Sequence, residues 1–176
     1  MSVLKIITAP DPLLKQVSAP VREVDDDLRK LMDDMLETMY DAPGIGLAAI
    51  QVGVPKRVLV IDLQDRESDA EDAPEIRDPH YFVNPEIYWT SEDEAAYQEG
   101  CLSVPEFFED VERPTECKLR YLDYNGKERD EHLTGLMATC LQHEMDHLNG
   151  ILFIDHLSRL KRQMILKKLK KAEKAA

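Results

Sequence analysis

The run Gln-His-Glu-Met-Asp-His, residues 142–147, carries two histidines four positions apart with a glutamate between them. On a helix, residues i and i+4 lie one turn apart on the same face. His143 and His147 can therefore aim their imidazoles at a single ion, each at about 2.0–2.1 Å. Glu144 follows His143 and is displaced around the helix. It is placed beside such an ion without binding it, the position of a general base for a water polarised by the metal.

Two imidazoles do not complete a metal site, so the third ligand decides the class of chemistry. The extended pattern H-E-x-x-H-x-x-G-x-x-H would put a third histidine at position 153. Gly150 is in register, but that position holds Phe153. Glu173 is the one glutamate downstream, within a strongly basic tail, and Asp155 and His156 lie beyond the expected helix end. The ligand must come from upstream. Cys140 is seven residues from His147, about 10.5 Å along a helix axis, too far for two short side chains to share one ion. Cys117 alternates with apolar residues in a strand-like segment and reads as a core thiol. Cys101 remains, in Glu-Gly-Cys-Leu-Ser, beside Gly100 and before Pro105, which is expected to end its strand. One thiolate with two imidazoles leaves a coordination position open, which is the arrangement of a catalytic site rather than a structural one. The donor set suits iron, zinc, cobalt or nickel and does not choose among them.

Several elements must position these residues. Residues 25–40 place Leu28, Leu31, Met32, Met35, Leu36 and Met39 at spacings of three and four, and begin with three aspartates, which predicts a capped amphipathic helix. Residues 57–63 read as a β-branched strand. Residues 81–89 and 94–104 suggest two more. The alternation of Cys117, Leu119 and Tyr121, followed by Asn125-Gly126, predicts a hairpin. A second helix is expected over residues 134–149, capped by Thr134 and closed by Gly150, and a third over residues 158–174 with Leu160, Met164, Leu166 and Leu169 as its apolar stripe. The acidic stretch 64–80 reads as an exposed loop. The expected fold is α+β, with short antiparallel strands packed around a central metal-binding helix and a C-terminal helix. Residues 1–158 are expected to form the catalytic domain, with 159–176 a basic helix appended to it.

The chain has 176 residues, enough for one domain with a proper core, and its net charge is −13. That charge is unevenly spread. From Arg159 onward there are eight Lys/Arg against one acid, leaving the body at −20. An acidic body excludes DNA as a partner over the main surface. No apolar run is long enough to span a bilayer, and the first residues lack the pattern of a signal peptide. Three cysteines without framework spacing fit a reducing compartment. The expected location is the cytoplasm, with no membrane partner.

Three motifs in order, Gly-Ile-Gly-Leu-Ala-Ala-Ile-Gln at 44–51, Glu-Gly-Cys-Leu-Ser at 99–103 and Gln-His-Glu-Met-Asp-His at 142–147, resemble those of the peptide deformylases. The resemblance spans about residues 3–160. It implies that Cys101, His143 and His147 hold one divalent metal, ferrous iron in many members, with zinc, nickel or cobalt able to replace it. It implies that Glu144 shuttles the proton, and that Gln51 and the backbone N–H of Leu102 bind the developing oxyanion. Gly44, Ile45, Gly46, Glu99 and Gly100 would line the cleft for an extended peptide. The implied reaction removes the formyl group from formyl-methionyl nascent chains, releasing formate.

Ile45, Leu136 and Cys140 are candidates for the methionine pocket, with a core-filling role for Leu136 and Cys140 the alternative. Asp146 is either a surface charge or a partner for an arginine such as Arg113. Family members often carry a basic residue shortly after the second motif; here the segment reads Glu-Phe-Phe-Glu-Asp, so contacts beyond methionine are expected to differ, with Phe107 or Phe108 as an apolar wall. The resemblance further implies that the basic C-terminal helix docks on the ribosome, with simple packing against the domain as the alternative. The competing functions are a metallopeptidase cutting internal bonds and a catalytically silent ribosome-binding protein.

Overall fold

The computed structural model describes residues 2–64 and 76–175. Helix α1 spans Asp26–Asp41. Asp25 caps it, Oδ1 accepting from the Leu28 N–H at 2.9 Å, and Asp26 and Asp27 add negative charge where the helix dipole favours it. Seven strands follow: β1 (Gly46–Ala48), β2 (Val58–Ile61), β3 (His80–Thr90), β4 (Glu94–Cys101), β5 (Val104–Pro114), β6 (Glu116–Leu122) and β7 (Glu128–Thr134). Helices α2 (Gly135–Leu148) and α3 (Arg159–Ala175) complete the chain, with a 3₁₀ turn, Phe153–His156, between them.

All strand pairs are antiparallel. One sheet runs in the order β1-β2-β3-β6-β7, and β4 and β5 form a separate two-stranded sheet. The inner strand β2, between β1 and β3, is buried at all four positions because both its faces are covered. Val58 and Val60 pack with Met32, Met35 and Met39 of α1. Leu59 and Ile61 pack with Phe82, Leu119, Leu141 and Leu148, joining the sheet to α2. The predicted alternation in β6 is present: Cys117, Leu119 and Tyr121 are all buried in that second cluster. A third cluster joins Val104 and Val111 of β5 to Leu152, Phe153, Ile165 and Leu169. It fixes the small sheet against the turn after α2 and against α3.

Three expectations change. Pro105 does not end the second motif's strand; it lies in β5, an eleven-residue strand paired with β4. That strand has few apolar residues because most of its side chains face outward, and Glu106 sits at φ +71, within the irregular stretch between the Glu99↔Glu109 and Cys101↔Val104 pairings. Thr134 occupies the helix-cap position without a side-chain cap bond, since it is still extended and paired to Glu116 as the last residue of β7. In α3 the buried residues are Ile165 and Leu169, whereas Leu160 and Met164 are 70% and 51% exposed. The apolar stripe is rotated from the one predicted, because Ile165 rather than Met164 faces the third cluster. Most of the acidic stretch 64–80 lies outside the described residues.

The end of α2 follows its sequence closely. Gly150 adopts φ +74, its N–H donates to the His147 carbonyl, and the Ile151 N–H donates to the Asp146 carbonyl. These two bonds close the helix in a Schellman arrangement.

Candidate metal centre and active-site cleft

Helix α2 brings His143 and His147 together, their ring centroids 5.2 Å apart. Cys101, at the end of β4, arrives from the small sheet, and its Sγ lies 3.3 Å from His147 Nε2. One ligand atom from each of Cys101, His143 and His147 lies within 4.8 Å of the others. A thiol and two imidazoles converging at that separation form a metal-binding group suited to a divalent d-block cation. Buried Glu144 Oε2, with no hydrogen-bond partner among the described residues, adds an uncommitted acceptor to the same place. Cys140 and Cys117 stand apart from the group. Burial pushes their thiols up to about 12 and about 11, so both are protonated.

His143 and Cys101 have supporting contacts, whereas buried His147 Nδ1 has no hydrogen-bond partner among the described residues. His143 Nδ1 donates to Glu99 Oε1 at 2.8 Å, which leaves Nε2 on the side of the metal group. Glu99 borders the cleft as expected, but its carboxylate turns inward: Arg113 donates to it from Nε at 2.7 Å and NH2 at 3.0 Å. Burial alone would raise the Glu99 pKa, yet these bonds hold it below the usual carboxylate range. Arg113 NH1 also donates to Asp146 Oδ2 at 2.9 Å, so Asp146 is an arginine partner rather than a bare surface charge. Phe153, where a third histidine was considered, stacks on the His143 ring with centroids 6.2 Å apart.

Glu144 is buried, and its Oε1 lies 4.0 Å from His143 Nε2. Removal from water raises its carboxyl from the ordinary value to about 7. A cation between the rings would draw it down again, because an adjacent positive charge favours the carboxylate. Gln51 is also buried. Its Oε1 accepts from the Ala48 N–H at 2.9 Å, and its Nε2 donates to Ser103 Oγ at 3.0 Å while lying 3.5 Å from Cys101 Sγ. The amide is thereby oriented with its N–H₂ toward the metal group. Ser103, buried beside the thiol with its own N–H 3.4 Å from Cys101 Sγ, went unassigned in the sequence although it stands in the second motif.

These residues open on a cleft of about 650 Å³. Gly44, Ile45 and Gly46 line one part of it, and Glu99, Gly100, Cys101 and Leu102 another. From α2 come Leu136, Cys140, His143 and Glu144, one helical face by spacing. His147 sits behind the group, fully buried. Of the two phenylalanines proposed as a wall, Phe108 lines the cleft and Phe107 packs into the third core cluster.

The family model described as polypeptide deformylase matches residues 3–163. The peptide deformylase of Phenylobacterium zucineum is 63% identical over 176 residues, the full length of both chains. That of Rhizorhabdus wittichii is 64% identical over 175 residues, 99% of this chain and 98% of its own. The crystal structure of the peptide deformylase from Ehrlichia chaffeensis in complex with actinonin aligns with a TM-score of 0.89 at 46% identity, covering 98% of this chain and 99% of that one. With three ordered motifs, one converged metal-binding group and full-length similarity in both sequence and fold, the chain belongs to the peptide deformylase family, whose members remove the N-terminal formyl group from nascent polypeptides.

Proposed function

We propose that Cys101, His143 and His147 hold one divalent cation, ferrous iron in the native protein, and that Glu144 is the general base of formyl hydrolysis. The convergence of the three donor atoms beside buried Glu144 is the observation that carries this reading. When bound, the cation supplies Lewis-acid polarisation of the formyl carbonyl and lowers the pKa of water. Glu144 takes the proton from the attacking water and returns it to the leaving amine, which would otherwise depart as a poor leaving group. Gln51 Nε2 and the Leu102 N–H donate to the oxygen as negative charge develops on it. The bond from the Ala48 N–H to Gln51 Oε1 supports this role, because it keeps Nε2 on the side of the metal group.

The peptide lies extended along the Gly44–Gly46 segment and against Glu99 and Gly100. β1 is an edge strand of its sheet, so its outer side is open to pairing with an added strand. Ile45, Leu136 and Cys140 receive the methionine side chain; Leu136 is exposed in the cleft rather than filling the core. Phe108 offers an apolar surface to the residues that follow.

Residues 1–158 act as the catalytic domain, and the basic tail 159–176, which carries helix α3, is appended to it. That helix contacts the ribosome in the cytoplasm, drawn by RNA phosphates. Support comes from its eight Lys/Arg and from the outward-facing Leu160 and Met164. No helix among the described residues is long and apolar enough to cross a membrane.

The test of the base is Glu144→Ala, assayed for formate release from a formyl-Met-Ala peptide with bound metal measured in the same sample. Metal content should persist while kcat/KM falls by about 10³-fold. Undiminished turnover would remove Glu144 from the role. Anaerobic metal analysis of freshly isolated protein, with activity followed on exposure to air, tests iron: zinc at one equivalent with air-stable activity overturns that assignment.

A further inference from the structure

A hydrogen-bonded chain runs from the metal group through Glu99, at the border of the cleft, to a second groove. It runs from His143 Nδ1 to Glu99 (2.8 Å), from Glu99 to Arg113 (2.7 and 3.0 Å), from Arg113 NH1 to Asp146 Oδ2 (2.9 Å), and from that same oxygen to His156 Nε2 (2.8 Å). Side-chain exposure runs from 38% at His156 through 19% at Asp146 to 5% at Arg113 and 6% at Glu99. His156 is therefore the end that reaches solvent. It does so in a second groove of about 490 Å³, shared with Arg57, Glu86 and Glu112.

Resting on the metal-site reading above, we propose that His156 is a positioning residue for the metal ligand His143, acting through Asp146, Arg113 and Glu99. The buried guanidinium is held from two sides. Glu99 takes Nε and NH2, which defines the guanidinium plane, and Asp146 takes NH1. Asp146 is itself at the partly exposed end of α2, where Arg113 holds its carboxylate from the core side and the other side faces solvent. His156 fixes the carboxylate by donating to the oxygen that also receives Arg113. Two donors on one carboxylate oxygen pin its position; one donor lets the carboxylate swing toward water. Each link then orients the next, ending at the Nδ1–H bond that sets which His143 nitrogen faces the metal group. Glu99 and Asp146 flank a single buried arginine, and the His156 imidazole adds a donor to this acidic pair from the solvent end.

The test uses Co(II)-loaded protein. His156→Ala should release cobalt to excess chelator about threefold to tenfold faster than the unaltered protein, less than the 10–100-fold seen for direct supports of a ligand because three residues stand between His156 and His143. The cobalt absorption bands should shift, and KM for a formyl peptide should stay within twofold, since His156 is remote from the cleft. His156→Gln, which keeps a donor of similar reach, should restore cobalt retention to within about twofold. Cobalt loss from His156→Ala at the unaltered rate with an unchanged spectrum overturns the proposal. So does a Gln variant as leaky as the Ala variant, because a packing defect rather than a hydrogen bond would then be responsible. Unaltered protein that takes up no cobalt would overturn the metal reading itself, a result distinct from these two.

Discussion

A methyl group at Gly46 would lie 2.8 Å from Glu144 Oε1 and 3.2 Å from its Cγ and Cδ. The residue is in an ordinary extended strand, so the constraint comes from the neighbour and not from backbone conformation. Gly46→Ala should displace the Glu144 carboxylate while leaving the fold intact. We expect kcat to fall about 10–100-fold, since misplacement of a catalytic group by about 1 Å costs on that order, with Tm within a few degrees of the unaltered protein. Normal kcat would show that Glu144 tolerates the shift. Glu99→Gln tests the other side of His143. It keeps the shape and removes the charge that accepts from Nδ1, so metal affinity measured by chelator competition should drop about 10–100-fold. At this scale the sequence was informative where chemistry is local. The pairing of His143 with His147 is legible from helical spacing, and Cys101 as their companion from elimination. Arg113 could only be guessed and Ser103 was passed over, because their roles depend on how β4 and β5 align and where that sheet meets α2.

Elements were legible in proportion to their periodicity. α1 and α2 emerge from apolar spacing with their stop signals, and the β6–β7 hairpin from alternation plus Asn125-Gly126. β5 was hidden because its outward residues are acidic or exposed aromatics, and its inward ones (Val104, Val111, Arg113) are too widely separated to show a period. The stripe of α3 was misplaced by one position, which a helix with apolar residues at 164, 165 and 166 does not resolve by itself. The close of α2 gives this scale its prediction. Gly150 lies at φ +74, and an added Cβ would run into the Lys15 carbonyl. Gly150→Ala combines the left-handed penalty of roughly 1–2 kcal/mol with a backbone collision, for a loss of about 2–4 kcal/mol in urea unfolding. Such a loss should also loosen the adjoining turn that carries Phe153 and His156. A loss below 1 kcal/mol would mean that the 15–16 segment moves aside freely.

The whole molecule divides its charge between a body at −20 and a tail at +7. That division is visible in composition, whereas the layered arrangement is not: β3 pairs with β6 across the whole β4–β5 sheet, a long-range choice that no local pattern encodes. The charge division constrains the proposed ribosome contact. An acidic body is repelled by RNA, so attachment must be carried by α3, and its strength should depend steeply on salt. Lys167, Lys168, Lys170 and Lys171 are exposed, and the helix is anchored by Ile165 and Leu169, which face the core. Changing the four lysines to glutamate turns the tail from +7 to −1 without removing an anchor. The variant should hydrolyse a small formyl peptide within about twofold of the unaltered protein, because α3 contributes no residue to the cleft. Co-sedimentation with ribosomes at low salt should be lost, and the unaltered protein should itself dissociate as salt is raised. If the four-lysine variant sediments as the unaltered protein does, the tail is only a packed terminal helix and any ribosome contact belongs to another surface.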